Sequence, residues 1–213
     1  MSARTVQICE TFVSIQGEST YAGLLCFFVR LAGCNLSCGY CDTPQARAPG
    51  KPRRITDLVK AFRSSKAAIA EITGGEPLLQ PGFNALATSM HRAELKPVLV
   101  ETNGSCDISI IPPEAVAIMD IKTPGSGMNN TMDMANIGRL RLHDEVKFVI
   151  VDRGDYEWAR HLVRKHRLTD ICHAVLFSPV VPTLDPARLA NWILNDRLPV
   201  RFHLQMHKMV GMK

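Results

Sequence analysis

The stretch Gly33-Cys34-Asn35-Leu36-Ser37-Cys38-Gly39-Tyr40-Cys41-Asp42-Thr43 constrains this chain more than any other. Three cysteines, spaced C-x-x-x-C-x-x-C, fall within eight residues. Thiolates bind soft metals, and three at this spacing can converge on one centre from a single loop. The loop follows Leu24-Leu25-Cys26-Phe27-Phe28-Val29-Arg30-Leu31, a nearly continuous apolar run of the kind that forms a strand buried on both faces. The sequence therefore predicts a metal-ligand loop at the C-terminal end of a central strand. Three ligands are too few for structural zinc or an ordinary iron–sulfur site, which usually take four. A chance cluster of buried cysteines and a zinc site closed by a distant His or Cys are the plain alternatives. Cys9, Cys26, Cys106 and Cys172 could supply a fourth ligand, but none belongs to a second paired motif.

The rest of the chain alternates strand with helix. Strands are expected at Thr5–Ser14, Leu24–Leu31, Ala67–Ile72, Pro97–Glu101, Ala115–Ile121, Asp144–Ile150 and Ala174–Pro179, with a last one at Leu198–Leu204. Apolar residues at helical spacing predict helices over Ile55–Phe62, Phe83–Met90, Tyr156–Arg167 and Pro186–Asn195. Ile15–Ser19 is a loop turning at Gly17, and Pro49–Arg54 is a connector. Such alternation implies a parallel sheet. Polar or Gly-rich motifs lie just after the strands, the face on which β/α barrels assemble their sites. Six core strands after the N-terminal one predict an α/β fold, an incomplete, splayed (β/α)6-type partial barrel. Asn129–Leu142 sits where a helix belongs but is poorly amphipathic, so some core helices are expected to be shortened or replaced by loops.

Composition adds bounds. The 213 residues suit one domain, 1–213. Apolar content of 46% and charged content of 21% are ordinary for a globular protein. The net charge of +5 suits anionic small molecules and gives no ground for nucleic-acid binding. No apolar run reaches the ~20 residues of a membrane helix, so no membrane is expected. Met1–Gln7 has no signal-peptide core, which predicts a cytoplasmic protein. Seven cysteines then argue for metal chemistry and reduced thiols.

The cysteine spacing, with Tyr40 before Cys41, resembles the signature of the radical S-adenosylmethionine (SAM) superfamily. The resemblance implies that Cys34, Cys38 and Cys41 hold three irons of a 4Fe–4S cluster and leave the fourth to SAM. Thr73-Gly74-Gly75-Glu76-Pro77 follows a strand, and its glycines let backbone approach a ligand. Alone it is equally a turn before a helix; here it resembles the superfamily's SAM-binding Gly-Gly-Glu-Pro motif. Ser14-Ile15-Gln16-Gly17-Glu18 with Cys41-Asp42-Thr43 narrows the likeness. Glu101–Gly104, Asp120–Gly127, Val146–Phe148 and Gln205–Lys208 extend it over almost the whole chain. The whole set resembles the 7-carboxy-7-deazaguanine synthase family. The chain departs from that pattern twice: Asp120–Gly127 stands for a Ser-Pro-Lys, and Met209–Lys213 lacks an aromatic.

The resemblance implies a radical ring contraction. Hydrogen is taken from 6-carboxy-5,6,7,8-tetrahydropterin, the substrate rearranges, ammonia leaves and SAM is regenerated. It further implies Mg²⁺ dependence, a homodimer, an electron donor such as flavodoxin or ferredoxin, and a product for queuosine and related 7-deazapurines. Substrate would meet Ile15, Gln16, Gly17, Glu18, Arg30 and Thr73. Gln16 and Glu18 offer the amide and carboxylate that a pterin edge requires, or simply form an exposed turn. Arg30, a charge in an apolar run, must be paired or face a site; it suits either a substrate carboxylate or a structural ion pair. SAM would meet Tyr40, Cys41, Asp42, Gly75, Glu76, Lys122 and Ser126. Packing remains open for Tyr40, and loop capping for Lys122 and Ser126. Glu101, Asn103, Asp120 and Lys147 point to the same mouth with no role assigned. Thr43 would bind Mg²⁺, although Thr43-Pro44 also has the form of a helix N-cap. The competing function is a radical SAM activase making a glycyl radical on a partner protein. A non-enzymatic metal scaffold or nucleic-acid module is disfavoured by the charge and the lack of a second metal motif.

Overall fold

The computed structural model describes residues 4–212; Met1–Ala3 and Lys213, at the ends of the leader and tail stretches read above, lie outside the described residues. Among the described residues nine strands form one sheet. They are β1 (Thr5–Ile15), β2 (Leu25–Leu31), β3 (Lys51–Arg54), β4 (Ile69–Gly74), β5 (Val98–Thr102), β6 (Val116–Asp120), β7 (Glu145–Ile150), β8 (Ala174–Pro179) and β9 (Arg201–Phe202). Their order is β3-β1-β2-β4-β5-β6-β7-β8-β9. From β2 to β9 every pairing is parallel, while β1 runs antiparallel to both β2 and β3. The outer strands β3 and β9 do not pair, so the sheet stays open, as the partial barrel requires.

Helices α1 (Ile55–Ser65), α2 (Phe83–Glu94), α3 (Arg153–His166), α4 (Leu168–Ile171) and α5 (Pro186–Asp196) cover the outer face, and α6 (Met206–Met209) lies in the tail. Asp152 caps α3 by accepting from the Asp155 amide at 2.9 Å, so that helix begins before the predicted Tyr156. Asp185 caps α5 in the same way, with Pro186 at the first helical position. The segment Asn129–Leu142 holds only 3-10 turns, and Ile108–Ile110 is the one helical turn between β5 and β6. Two of the expected crossover helices are thus absent.

Alternation divides the sheet into two faces. Phe27, Val29, Leu31, Ile72, Val100, Met119, Phe148 and Phe177 point outward and pack on Phe62, Leu86, Met90, Tyr156 and Leu189. Fully burying each such side chain contributes roughly 1.5–3 kcal/mol. Inward, Cys26, Phe28, Ile69, Leu99, Val116 and Ile118, with Phe12 and Tyr21, make a small apolar plug. The same strands then carry Arg30, Glu71, Thr73, Glu101, Asp120 and Lys147 on that inner face, and these line a cavity.

Three expectations need correction. The connector Pro49–Arg54 contains β3, which pairs with Thr5–Ile8 of β1; Pro52 is tolerated there because an edge strand need not offer every N–H. The last strand shrinks to Arg201–Phe202, after a turn around Pro199. The loop Gln16–Leu24 does not belong to the mouth at the strands' C-terminal ends. Because β1 is antiparallel, Ile15 lies opposite Leu25, the start of β2, so this loop enters the barrel from the other end.

Candidate active site

A cavity of about 610 Å³ runs through the barrel. Cys34, Cys38 and Cys41 line it, as do Ile15, Gln16, Gly17, Glu18, Arg30, Thr73, Tyr40, Asp42, Thr43, Gly75 and Lys122. Of the residues predicted to bind ligand, Glu76 and Ser126 alone are absent from its wall.

The cysteine loop is anchored by its neighbours in the sheet. The Gly75 amide donates to the Leu31 carbonyl at 3.2 Å and the Glu76 amide to that of Gly33 at 2.8 Å. A β-carbon at position 75 would collide with the Gly33 carbonyl, which explains the glycine. From the loop after β5, Asn103 Nδ2 reaches Asn35 Oδ1 at 3.2 Å and the Cys34 sulfur at 3.9 Å. From the loop after β6, the Ser126 carbonyl accepts from the Gly39 amide at 3.1 Å.

Glu76 and Ser126 turn out to hold loops together. The buried Glu76 carboxylate accepts from Leu78 N (3.0 Å), Thr102 Oγ1 (2.9 Å) and Asn103 N (2.6 Å). Burial pushes its carboxyl up while those donors pull it down. Its side chain ties two site loops together. Ser126 Oγ donates to the Thr123 carbonyl at 2.6 Å and accepts from Met128 N at 3.0 Å, which is the loop-capping alternative.

Charges organise the inner wall. Arg30 stands opposite Glu10 in the sheet register, and its Nε meets Glu10 Oε1 at 3.0 Å. A bulge at Cys9 creates this pairing, because it moves Glu10 to the inner face while Ile8 stays in the outer core. Lys147 is buried among Glu18 (2.7 Å), Glu101 and Asp120 (3.5 Å). Burial opposes its charge, but the carboxylates of Glu101, Glu18 and Asp120 hold the ammonium well above its ordinary range. Glu101 is lowered in turn, Lys147 outweighing burial, and it accepts from Thr73 Oγ1 at 3.1 Å. Lys122 pairs with Asp120 at 2.8 Å and lies over the Tyr40 ring, 5.8 Å from its centre.

Sequence reasoning missed Glu10 and Glu71, and it named the tail motif Gln205–Lys208 without assigning its contacts. Gln16 Nε2 donates to Glu71, and Gln16 Oε1 accepts from the Glu18 amide at 3.0 Å. Gln205 Nε2 donates to Glu18 Oε1 at 2.6 Å, and the Met206 amide to the Gly17 carbonyl at 2.9 Å. Lys208 pairs with Asp42 at 2.8 Å, drawing that half-exposed carboxyl down to about 2 against partial desolvation. The His-Lys pair of the tail was the available signal.

Comparison with known proteins agrees with this arrangement. Residues 29–189 match the radical SAM superfamily model. The 7-carboxy-7-deazaguanine synthases of Chlorobaculum tepidum and Koribacter versatilis are 42% and 39% identical, over 96% of this chain and 94% and 96% of theirs. The chain belongs to the 7-carboxy-7-deazaguanine synthase family. It is therefore a radical SAM enzyme, a lyase. QueE from Escherichia coli has the same fold, with a TM-score of 0.75 at 20% identity, over 95% of each chain.

The family implies a 4Fe–4S cluster and SAM, and the residues present fit both. All seven cysteines are free thiols. Cys34, Cys38 and Cys41 share one loop and face one cavity, yet among the described residues no His, Cys, Asp or Glu group is drawn together tightly enough for a single metal ion. Three thiols on one loop beside the cavity are the soft donor set that an iron–sulfur core takes. Beside the thiols, Asp120 Oδ1 is buried without a hydrogen-bond partner among the described residues, as a polar ligand seated there would leave it. No helix among the described residues is long and apolar enough to cross a membrane.

Proposed function

We propose that this enzyme contracts the ring of 6-carboxy-5,6,7,8-tetrahydropterin to 7-carboxy-7-deazaguanine, with loss of ammonia, Mg²⁺ dependence and catalytic use of SAM. The observation that carries the reading is one cavity walled by the three thiols together with Gln16, Glu18 and Arg30. An activase working on a protein backbone needs no such walled set of small-molecule contacts. Bound at the cysteine loop, the cluster and SAM supply a hydrogen-abstracting radical. The chain's own residues place the substrate against it.

Arg30, steadied through Nε by Glu10, keeps its terminal nitrogens for the substrate carboxylate. Glu18 accepts from the amino edge of the heterocycle, its position set by Lys147 and Gln205. Ile15, Gly17 and Thr73 complete the wall, and Tyr40, Cys41, Asp42, Gly75 and Lys122 face SAM. Thr43 supplies Mg²⁺ with its hydroxyl. Thr43 stands at the N-cap position of the turn Pro44–Arg47 but makes no side-chain capping bond; its Oγ1 donates to Asp42 Oδ1 at 3.1 Å. Hard oxygens of this kind, completed by the substrate and water, suit Mg²⁺. A homodimer, a flavodoxin or ferredoxin as reductant and a cytoplasmic setting belong to the same reading.

The test is anaerobic reconstitution with iron and sulfide, then reductant, SAM, Mg²⁺ and the carboxy-tetrahydropterin. Deazaguanine acid formed without net SAM consumption is the expected result; a glycyl radical on a partner protein would favour the activase. Thr43→Ala should keep the cluster and uncoupled SAM cleavage but lose Mg²⁺ stimulation. With no capping bond to lose, its stability should fall by less than the roughly 0.5–2 kcal/mol of a working cap.

A further inference from the structure

Arg30, Lys122 and Lys147 each answer carboxylates on the inner wall. Glu71 is different. It sits in mid β4 between Phe28 of β2 and Leu99 of β5, is 4% exposed and lines the cavity. Among the described residues its side chain forms no ion pair, and its hydrogen-bond partner is the neutral amide of Gln16.

The orientation of that amide is fixed. Gln16 Oε1 accepts from the Glu18 backbone N–H, a group that can only donate, so the Nε2 end must face Glu71. Around Glu71 stand the carboxylates of Glu101 on β5 and Glu18 in the loop, and the Cys26 thiol on β2. The one facing ammonium, Lys147 on β7, is committed to Glu18 and Glu101. A buried carboxylate without a cation is costlier than the neutral acid. Burial and the charge of Glu101 accordingly push the Glu71 carboxyl up to about 8, with the Gln16 bond only partly offsetting them.

We propose that Glu71 serves the substrate cavity as a neutral carboxylic acid, Gln16 holding one oxygen while the other donates its proton in a hydrogen bond to an acceptor atom of the bound heterocycle. Through Gln16 this donor is coupled to Glu18, an acceptor. The two carboxyls then read neighbouring acceptor and donor atoms on one edge of a lactam-type ring, a ring carbonyl beside an N–H or amino group. The identity of that ring as a pterin rests on the function proposed above; the neutral acid itself does not.

Two variants and two readouts test this. Glu71→Gln keeps a donor and an acceptor, so it should bind the carboxy-tetrahydropterin as wild type does at neutral pH. Wild-type affinity should fall as pH rises past about 8 relative to this variant. Glu71→Met should bind about tenfold more weakly than Glu71→Gln at every pH, and than wild type at neutral pH, the loss of one buried hydrogen bond. Infrared difference spectra across the same pH range, without substrate, should show a protonated-carboxyl band that Glu71→Gln removes. Tenfold weaker binding by a folded, SAM-binding Glu71→Gln would mean Glu71 acts as a carboxylate and would overturn the proposal. Should wild type fail to bind the pterin, the substrate reading falls. The infrared band then decides Glu71 alone: its absence overturns the neutral acid and its presence upholds it.

Discussion

The cysteine loop and the Gln16–Glu18 loop face one cavity but are held by different means. The first leans on the loops after β4, β5 and β6, through Gly75, Glu76, Asn103 and Ser126. The second follows the antiparallel strand β1, enters from the other end of the barrel, and is held by Glu71, Lys147 and Gln205. Thr20 adds a tie to Glu145 at the start of β7, through its amide (3.1 Å) and its hydroxyl. The mouth is fastened mainly by backbone and neutral bonds. The recognition side is fastened by buried charges. Damage at the mouth should therefore abolish chemistry and spare the fold, whereas damage at the recognition side should cost stability as well.

The sharpest break is Cys38→Ala. An iron left without its thiolate should eliminate the iron–sulfur absorption of the reconstituted enzyme, with little change in the thermal unfolding of the apo-protein. Cys9, Cys26, Cys106 and Cys172, replaced singly by Ala, should keep the absorption. Lys147→Met is next. It strands Glu18 and Glu101 in a buried site, and removing one partner of a buried pair costs roughly 3–5 kcal/mol. Denaturant unfolding should show that loss, and equal stability of variant and wild type would remove the contrast drawn above.

Arg30→Lys keeps charge and loses the planar fork. Substrate affinity should fall by roughly 1.5–3 kcal/mol with SAM binding unchanged, as measured by calorimetry with each ligand. An unchanged substrate affinity would return Arg30 to a purely structural pair with Glu10. The smallest effect belongs to Lys208→Met, since exposed ion pairs contribute about 0–1 kcal/mol. The Asp42 carboxyl is depressed, so this contribution is full above the unfolded value of about 3.9. It disappears as pH falls through about 2. Melting curves of variant and wild type should converge in acid and separate slightly at neutral pH.

The same division explains what the sequence disclosed. The cysteine loop, Thr73–Pro77 and Glu101–Gly104 are contiguous motifs placed after strands, so local pattern locates them and the sheet order brings them together. Strand and helix periods likewise gave the parallel sheet and the missing helix at Asn129–Leu142. Glu10 was hidden because a bulge at Cys9 breaks the period of two, leaving β1 only loosely alternating. Glu71 looked like one polar residue in an apolar strand, and its meaning depends on Gln16, which is brought to it by a loop entering from the far end. Gln205 and Lys208 act across most of the chain, a distance at which neither spacing nor composition carries information. Glu76 is the opposite case: its motif is local, but its carboxylate turns inward to Thr102 and Asn103.

The contacts of Gln205 and Met206 with Glu18 and Gly17 also set a timetable for synthesis. The cysteine loop is translated early and these tail residues late. At translation rates of about 5–20 residues per second, roughly ten to thirty seconds separate Thr43 from Lys208. Throughout that interval the thiols have emerged ahead of the segment that clasps Glu18 and Asp42. Metal can reach the nascent loop before the clasp exists, whereas substrate recognition has to wait for it.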